Sequence, residues 1–290
     1  MLNSLWYLAI VPGIPVAAFL GWTKWYVHQR NVRSRRPFVE MARPAGWSLQ
    51  NCLTDLMDNF TADFMAAVVV GVTAWALSVS GKIPPVFILI TGFLACSMLL
   101  YRAARTITSA VNYRLGLLGE QVVGQILDQL SCDALHVFHD LEVKEPGNKP
   151  WNIDHIVVTP AGVFAIETKT RRKPREVSSD GQQSHKVVFD GHQPNFPHPM
   201  GFDRHGLDQT QRNATWLSDK LTALNGCPVS VIPALVLPGW WVERKGKSNI
   251  SVLNAKELPG FFKNRTPVLS PERQRAIKAQ LDERCRIDLS

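Results

Sequence analysis

The hydrophobic pattern changes character about a third of the way along the chain. Leu5–Trp22 is apolar apart from glycine and proline, and Phe64–Ser80 and Pro84–Tyr101 hold no charge at all. A helix of about 18 residues rises about 27 Å, close to the hydrocarbon thickness of a bilayer. The pattern therefore predicts three transmembrane spans, near 5–22, 64–80 and 84–101, rather than three buried core helices. Pro12 and Pro15 are better tolerated in a lipid-embedded helix than in a soluble one. The first run does not read as a signal peptide, because "MLNS" has no positive charge and no small-residue cleavage site follows it. Between the first two spans Leu53, Leu56, Met57 and Phe60 recur at helical spacing, which fits an interfacial or an ordinary amphipathic helix.

From about Asn112 the pattern is that of an α/β domain. "RLGLLGEQVVGQILDQL" predicts a helix with Leu118, Val122, Val123, Ile126, Leu127 and Leu130 on one side. "HVFHDLEV" predicts a strand, "EPGNKP" a turn, and "NIDHIVVTPAGVFAIETK" a hairpin whose turn is Thr159–Gly162. Arg171–Gly206 is rich in Gly, Pro, Ser and His and reads as loop with one short strand, "HKVVFD". "DQTQRNATWLSDKL" predicts a helix and "PVSVIPALVLPG" a buried strand. "ISVL", a helix near "AKELPGFF" and a helical piece after Ser270–Pro271 follow. The predicted fold class is α/β, a mixed sheet with helices on both faces. The expected organisation is a membrane region over 1–111, the α/β domain over 112–262 and a helical tail over 263–290.

Charge orients the spans. Lys24, Arg30, Arg33, Arg35, Arg36 and Arg43 stand against a single Glu40 behind the first span, and Arg102, Arg105 and Arg114 follow the third. By the positive-inside rule the N-terminus faces out, and everything after Tyr101 is cytoplasmic, as in a multi-pass protein of the inner membrane. The net charge of +8 comes largely from these flanks, so only part of it points to nucleic acid. The five cysteines (52, 96, 132, 227, 285) form no CxxC pair, which argues against a zinc site or disulfide scaffold. No ATP-binding loop is present.

The chemistry concentrates in the hairpin. If Thr159 pairs with Gly162, Asp154 falls opposite Glu167, and Lys169 shares the face of Glu167. Ile153, Val157, Phe164 and Ile166 would line one face, and Ile156, Val158, Val163 and Ala165 the other, as in a central strand pair covered by helices. Two adjacent carboxylates there raise one another's pKa, and a divalent cation, Mg²⁺ or Mn²⁺, removes the conflict. With a lysine beside it, this is equipment for metal-assisted phosphodiester cleavage. The plainer reading is a set of solvated charges at strand ends. Glu120 projects with the apolar face of the first helix, where a carboxylate needs a partner. Gln209 opens the later helix, with Leu217 and Leu221 spaced behind it.

Gly119–Glu120, "NIDHIVVTPAGVFAIETK" and the Gln209-led helix together resemble the nuclease-related domain, NERD, which is similar to the PD-(D/E)XK restriction-endonuclease-like nucleases. The resemblance covers roughly Arg114 to Leu258. It implies a restriction-endonuclease-like, mixed four-stranded core sheet flanked by helices. Asp154 and Glu167 would be metal ligands, Lys169 the catalytic lysine, Glu120 an accessory ligand and Gln209 a group that orders phosphate or site. The chain departs from the family where Gly206, Leu207 and Asp208 replace an Asn-Pro pair, which leaves Gln211 as a substitute for Gln209. His185, His192, His198 and His205 in the long insertion match no ligand spacing and read as loop residues. Arg171, Arg172 and Lys173 follow the site and either grip a phosphate backbone or form a solvated run. Trp151, Trp216, Trp240 and Trp241 read as packing residues.

These readings converge on a membrane-anchored, cytoplasm-facing, metal-dependent nuclease acting on DNA more than RNA. Its partners would be nucleic acid, the lipid bilayer and membrane-associated proteins. The alternatives are a non-catalytic, membrane-tethered nucleic-acid-binding module and a scaffold that contacts protein alone.

Overall fold

The computed structural model of the protein describes residues 18–19, 21–30, 32–33, 39–79, 84–174, 185–263 and 265–288. In chain order the elements are β1 (Glu40–Ala42), α1 (Trp47–Val79), α2 (Pro85–Leu130), β2 (His136–Val143), β3 (Trp151–Thr159), β4 (Gly162–Thr168), β5 (Lys186–Phe189), β6 (Pro194–Phe196) and β7 (Gly201–Phe202). Then come α3 (His205–Asn225), β8 (Val231–Val236), β9 (Trp241–Arg244), β10 (Ser251–Leu253), α4 (Leu258–Lys263), α5 (Pro271–Arg284) and β11 (Arg286–Asp288). The chain divides into two compact units, one built mainly of Asp58–Thr106, the other of Ala42–Met57 and Ile107–Ile287.

In the first unit the apolar stretches of α1 and α2 bury only 6% of their residues and are long and apolar enough to cross a membrane. Small residues let the two helices approach. A Cβ on Gly92 would lie 2.5 Å from Ala74 Cβ, and one on Gly71 would lie 3.6 Å from Cys96 Sγ. The Cys96 thiol donates to Ala67 O at 3.2 Å. Such close approach is how helices associate where apolar burial offers no drive. Arg102 pairs with Asp63 at 3.3 Å. Among the described residues there are two such helices where three spans were expected; the expected span over 5–22 lies almost wholly outside those residues. Both helices also outrun their expected spans. The Leu53–Phe60 stretch is the opening of α1, and α2 continues without a break from Pro85 through Arg114 to Leu130. One helix thus contains both the third expected span and the stretch that holds Glu120.

The second unit is a mixed α/β fold. Its main sheet has five strands in the order β10-β8-β4-β3-β2, antiparallel from β2 to β4 and parallel from β4 to β10. The fifth strand, absent from the four-stranded expectation, is three-residue β10. Helices cover both faces. Leu217 and Leu221 of α3 and Ile277 and Leu281 of α5 pack with Ile156, Val158, Val163 and Ala165. Val123 and Leu127 of α2 and Leu258 and Phe262 of α4 pack with Val157, Phe164 and Ile166. Leu118 and Val122, expected on the buried stripe of α2, are instead about half exposed. The hairpin has its expected register, with Thr159 opposite Gly162 and His155 opposite Ile166. Ile153 departs from expectation and packs in the cluster of Ile156 and Val158. The β2–β3 ladder skips Asp140, whose φ of 54° is left-handed, and the alternation of side chains fails at that break.

The polar insertion has its expected strand, β5, and two further short ones, β6 and β7. Strands β5, β6 and β7 join β9 in a second, four-stranded sheet, in the order β7-β6-β5-β9. Phe189, Phe196, Trp240 and Val242 form its core together with Leu207, Leu235 and Leu237.

Candidate active site

The hairpin's open end gathers the predicted residues. Asp154 lies one position beyond the last paired residue of β3, where its Oδ2 accepts the Thr168 backbone N–H at 2.7 Å. Across from it, Glu167 Oε1 accepts from Lys169 Nζ at 2.8 Å. The same ammonium donates to Gln209 Oε1 at 2.9 Å. Gln209, not Gln211, is therefore the glutamine that faces this group; Gln211 is exposed and donates to Thr215 Oγ1 at 3.3 Å. Glu120 arrives from α2. It can do so because Gly119 has no side chain: a Cβ there would sit 1.6 Å from Thr170 Oγ1 and 2.8 Å from Thr170 Cβ.

Burial and like charge set the electrostatics. Glu120, Asp154 and Glu167 are 6%, 4% and 2% exposed. Burial, then Asp140 and Glu167, push the Glu120 carboxyl up to about 8, against the pull of Lys169. Asp154 is raised well above the usual carboxylate range by burial, then by Glu167 and Glu120. Glu167 is also raised by burial, although Lys169, Arg212 and Asn213 oppose the shift. Burial pulls the Lys169 ammonium down, but the three carboxylates outweigh it and hold its pKa up. The cluster is thus short of positive charge.

Two further residues belong here that the sequence did not single out. Asn213, one helical turn after Gln209, donates through Nδ2 to Glu167 Oε2 at 3.0 Å. Its position at i+4 was the available signal. Asp140 is wholly buried, and its carboxylate accepts from Ser48 N–H, Ser48 Oγ and Asn152 Nδ2 at 2.5, 2.8 and 2.7 Å. It satisfies a backbone donor in the first turn of α1, an end that needs acceptors.

The fit to a divalent cation rests on the donors. Hard carboxylate oxygens are the ligands Mg²⁺ and Mn²⁺ prefer. Glu120 Oε2 is buried without a hydrogen-bond partner. Among the described residues no group of three or more His, Cys, Asp or Glu side chains is already arranged around a metal position. The residues supply the right atoms, and Lys169 is drawn onto Glu167 in the arrangement seen.

The flanking groups separate. Arg171 pairs with Asp203, with its guanidinium carbon 5.5 Å from the centre of the Phe196 ring. Lys173 Nζ lies 5.7 Å from the Trp240 ring centre, and Arg172 is exposed. His185, His192, His198 and His205 are all exposed. Trp151, Trp216 and Trp240 pack against apolar clusters as expected, whereas Trp241 is 66% exposed.

No curated protein and no solved structure was found to match the chain. A family model does match, over residues 115–238. That range holds Glu120, Asp154, Glu167, Lys169 and Gln209, and it stops short of β9 and β10, where the resemblance was expected to reach Leu258. Over residues 115–238 the chain matches the family model of the nuclease-related domain, NERD.

Proposed function

We propose that the protein is a membrane-anchored nuclease with a restriction-endonuclease-like core, hydrolysing phosphodiester bonds of DNA or RNA with Mg²⁺ or Mn²⁺. One observation carries the reading: a lysine held between Glu167 and Gln209 at 2.8 and 2.9 Å, beside two more buried carboxylates. Asp154, Glu167 and Glu120 are the residues that would hold the ion. Such an ion polarises a phosphoryl oxygen and makes bound water a nucleophile near neutral pH. Lys169 has three N–H donors, and Glu167 and Gln209 take two of them. The third remains for a phosphate oxygen or an attacking water. Gln209 and Asn213 act as positioning residues, since each holds a partner rather than substrate. Exposed apolar side chains on α1 and α2 support the membrane anchor, and the basic flanks support a cytoplasmic domain.

The test uses the full chain in detergent with plasmid, single-stranded DNA and RNA, with and without Mg²⁺ or Mn²⁺. Metal-dependent cleavage should appear and should vanish in Asp154→Asn and Lys169→Ala. Cleavage that survives both substitutions sinks the mechanism.

A second reading, a tethered module that binds nucleic acid without cutting, draws on the closed Lys169–Glu167 pair. It requires binding that weakens with salt and yields no metal-dependent product.

A further inference from the structure

Beside the carboxylate site is an open cleft of about 610 Å³. The two elements that build the site also build its walls. Trp151 opens β3 three residues before Asp154, about 10 Å at about 3.3 Å per residue. Arg212 and Trp216 lie on α3: Arg212 directly precedes Asn213, and Trp216 follows it by three. The Trp151 and Trp216 rings meet edge to face with centroids 6.3 Å apart. Arg212 lies over the Trp151 ring, 5.2 Å from its centre. Trp216 Nε1 donates to Glu145 Oε1 at 2.8 Å, which fixes the indole plane. Each indole thus packs on the core and lines the cleft as well.

The cleft's charge is balanced. Arg212 and Lys149 face Glu145 and Asp219 among its lining residues. A phosphate gains little net attraction from such a set. A neutral, flat heteroaromatic ring suits it better, because indole and guanidinium faces stack with any base and carboxylates accept from exocyclic amines. A base inside a duplex has neither its face nor its pairing edge free.

We infer that this cleft is a nucleobase subsite, which takes one unpaired base of a single-stranded substrate next to the bond presented to Lys169. The inference rests on the nuclease reading for its substrate class. It adds a preference that the carboxylate site alone does not contain: single strands over duplex, with one base position felt more than its neighbours.

The experiment measures binding of the full chain in detergent, with EDTA present, to fluorescein-labelled short oligonucleotides. These are single-stranded DNA, single-stranded RNA, the DNA duplex, and a DNA series in which each position in turn is abasic. The expected result is weaker binding of the duplex and a loss of about five- to 100-fold at one abasic position. Trp216→Ala should erase that positional loss, and Trp216→Phe should keep it. If Trp216→Ala does not fold, the abasic series on the unchanged protein decides alone. Binding that ignores both duplex formation and every abasic position overturns the subsite, as does no binding to any probe. The same preparations are then given Mg²⁺ or Mn²⁺. Base-sensitive binding without cleavage keeps the subsite and sinks the nuclease. Cleavage without base sensitivity does the reverse. The DNA and RNA arms say which strand supplies the base.

Discussion

In Asp58–Thr106 the large apolar side chains face outward: Val69, Val72, Trp75, Phe87 and Phe93 are each at least 60% exposed. In Ile107–Ile287 it is charge that faces inward: Glu120, Asp140, Asp154 and Glu167 are each at most 6% exposed. Water is the wrong environment for the first set and is denied to the second. Exposed apolar surface costs about 25 cal/mol per Å² and is relieved by lipid. A buried, ionised carboxylate costs several kcal/mol and is relieved by a cation or a proton. The two regions differ in how replaceable their parts are. The apolar face is uniform, so one residue more or less changes little unless it brings a charge. The carboxylate cluster is specific, so single atoms matter.

The largest expected effect therefore comes from the cluster. Lys169→Ala and Asp154→Asn should each lower cleavage at least about 100-fold, the loss seen when one transition-state donor is removed. Asp154→Asn should leave the thermal midpoint unchanged or raise it, because it removes like-charge repulsion and keeps an acceptor for Thr168 N–H. An inactive variant that also unfolds would mean that Asp154 is structural. Next in size is a charge placed on the apolar face. Val72→Arg should cost about 2.5–3.5 kcal/mol of membrane insertion, whereas Val72→Leu should cost nothing measurable. The readout is the fraction of protein left in the membrane pellet after alkaline extraction. Equal retention of both variants would break the comparison at its apolar end.

The sequence made the cluster legible because its signals are local. "TPAG" set the register, and counting outward from the turn along both strands then placed Asp154 by Glu167. Helical spacing put Glu120 on an inward face, whereas Gln209 came from the family resemblance, with Gln211 left open. What it hid was non-local. Asp140 sits in the middle of an apolar strand where aspartate is disfavoured. Its reason is the start of α1, more than 90 residues earlier. The buried pair His139 and His155, Nδ1 to Nδ1 at 2.8 Å, likewise joins two strands that only pairing brings together. The second sheet was missed because β5, β6 and β7 are four, three and two residues long and one partner, β9, lies beyond α3. Runs that short have no readable period. The unbroken α2 was hidden for another reason. Its composition shifts from apolar to basic at Arg102 while its backbone stays helical, so a change of environment was read as a change of element.

Helix α2 also sharpens the comparison at smaller scale. Gly119→Ala would drive a methyl group into Thr170, and overpacking of this kind costs about 1–3 kcal/mol. Denaturant unfolding should show that loss, and Thr170→Gly in the same chain should recover most of it. No recovery would mean that Gly119 matters for some reason other than this approach. The cluster's proton balance comes next. Because the Glu120 carboxyl is raised to about 8, the folded state keeps a proton that the unfolded state has released at lower pH. Stability should then fall as pH rises from about 4.5 to about 8, by at most about 1.4 kcal/mol per pH unit from this one group. Glu120→Gln should flatten that decline in thermal unfolding without metal. Added Mg²⁺ should stabilise the unchanged protein more at pH 8 than at pH 6, since a ligating carboxylate must first lose its proton. A decline equally steep in Glu120→Gln would assign it to the other raised carboxyls.

The smallest effect tests the basic strip, where neither burial nor lipid is at stake. Arg172 is exposed, while Arg171 is already paired with Asp203. A guanidinium that gives up a carboxylate to reach a phosphate exchanges one ion pair for another, so its net gain is small. Arg172→Ala should therefore reduce the slope of log K against log salt by about 0.7 for single strands, and Arg171→Ala by clearly less. Oligonucleotide titrations at several salt concentrations give both slopes. If the two variants match the unchanged protein, Arg171 and Arg172 make no phosphate contact. Lys173, the third residue of the strip, and Lys169 are then among the cations near the site left to attract the strand.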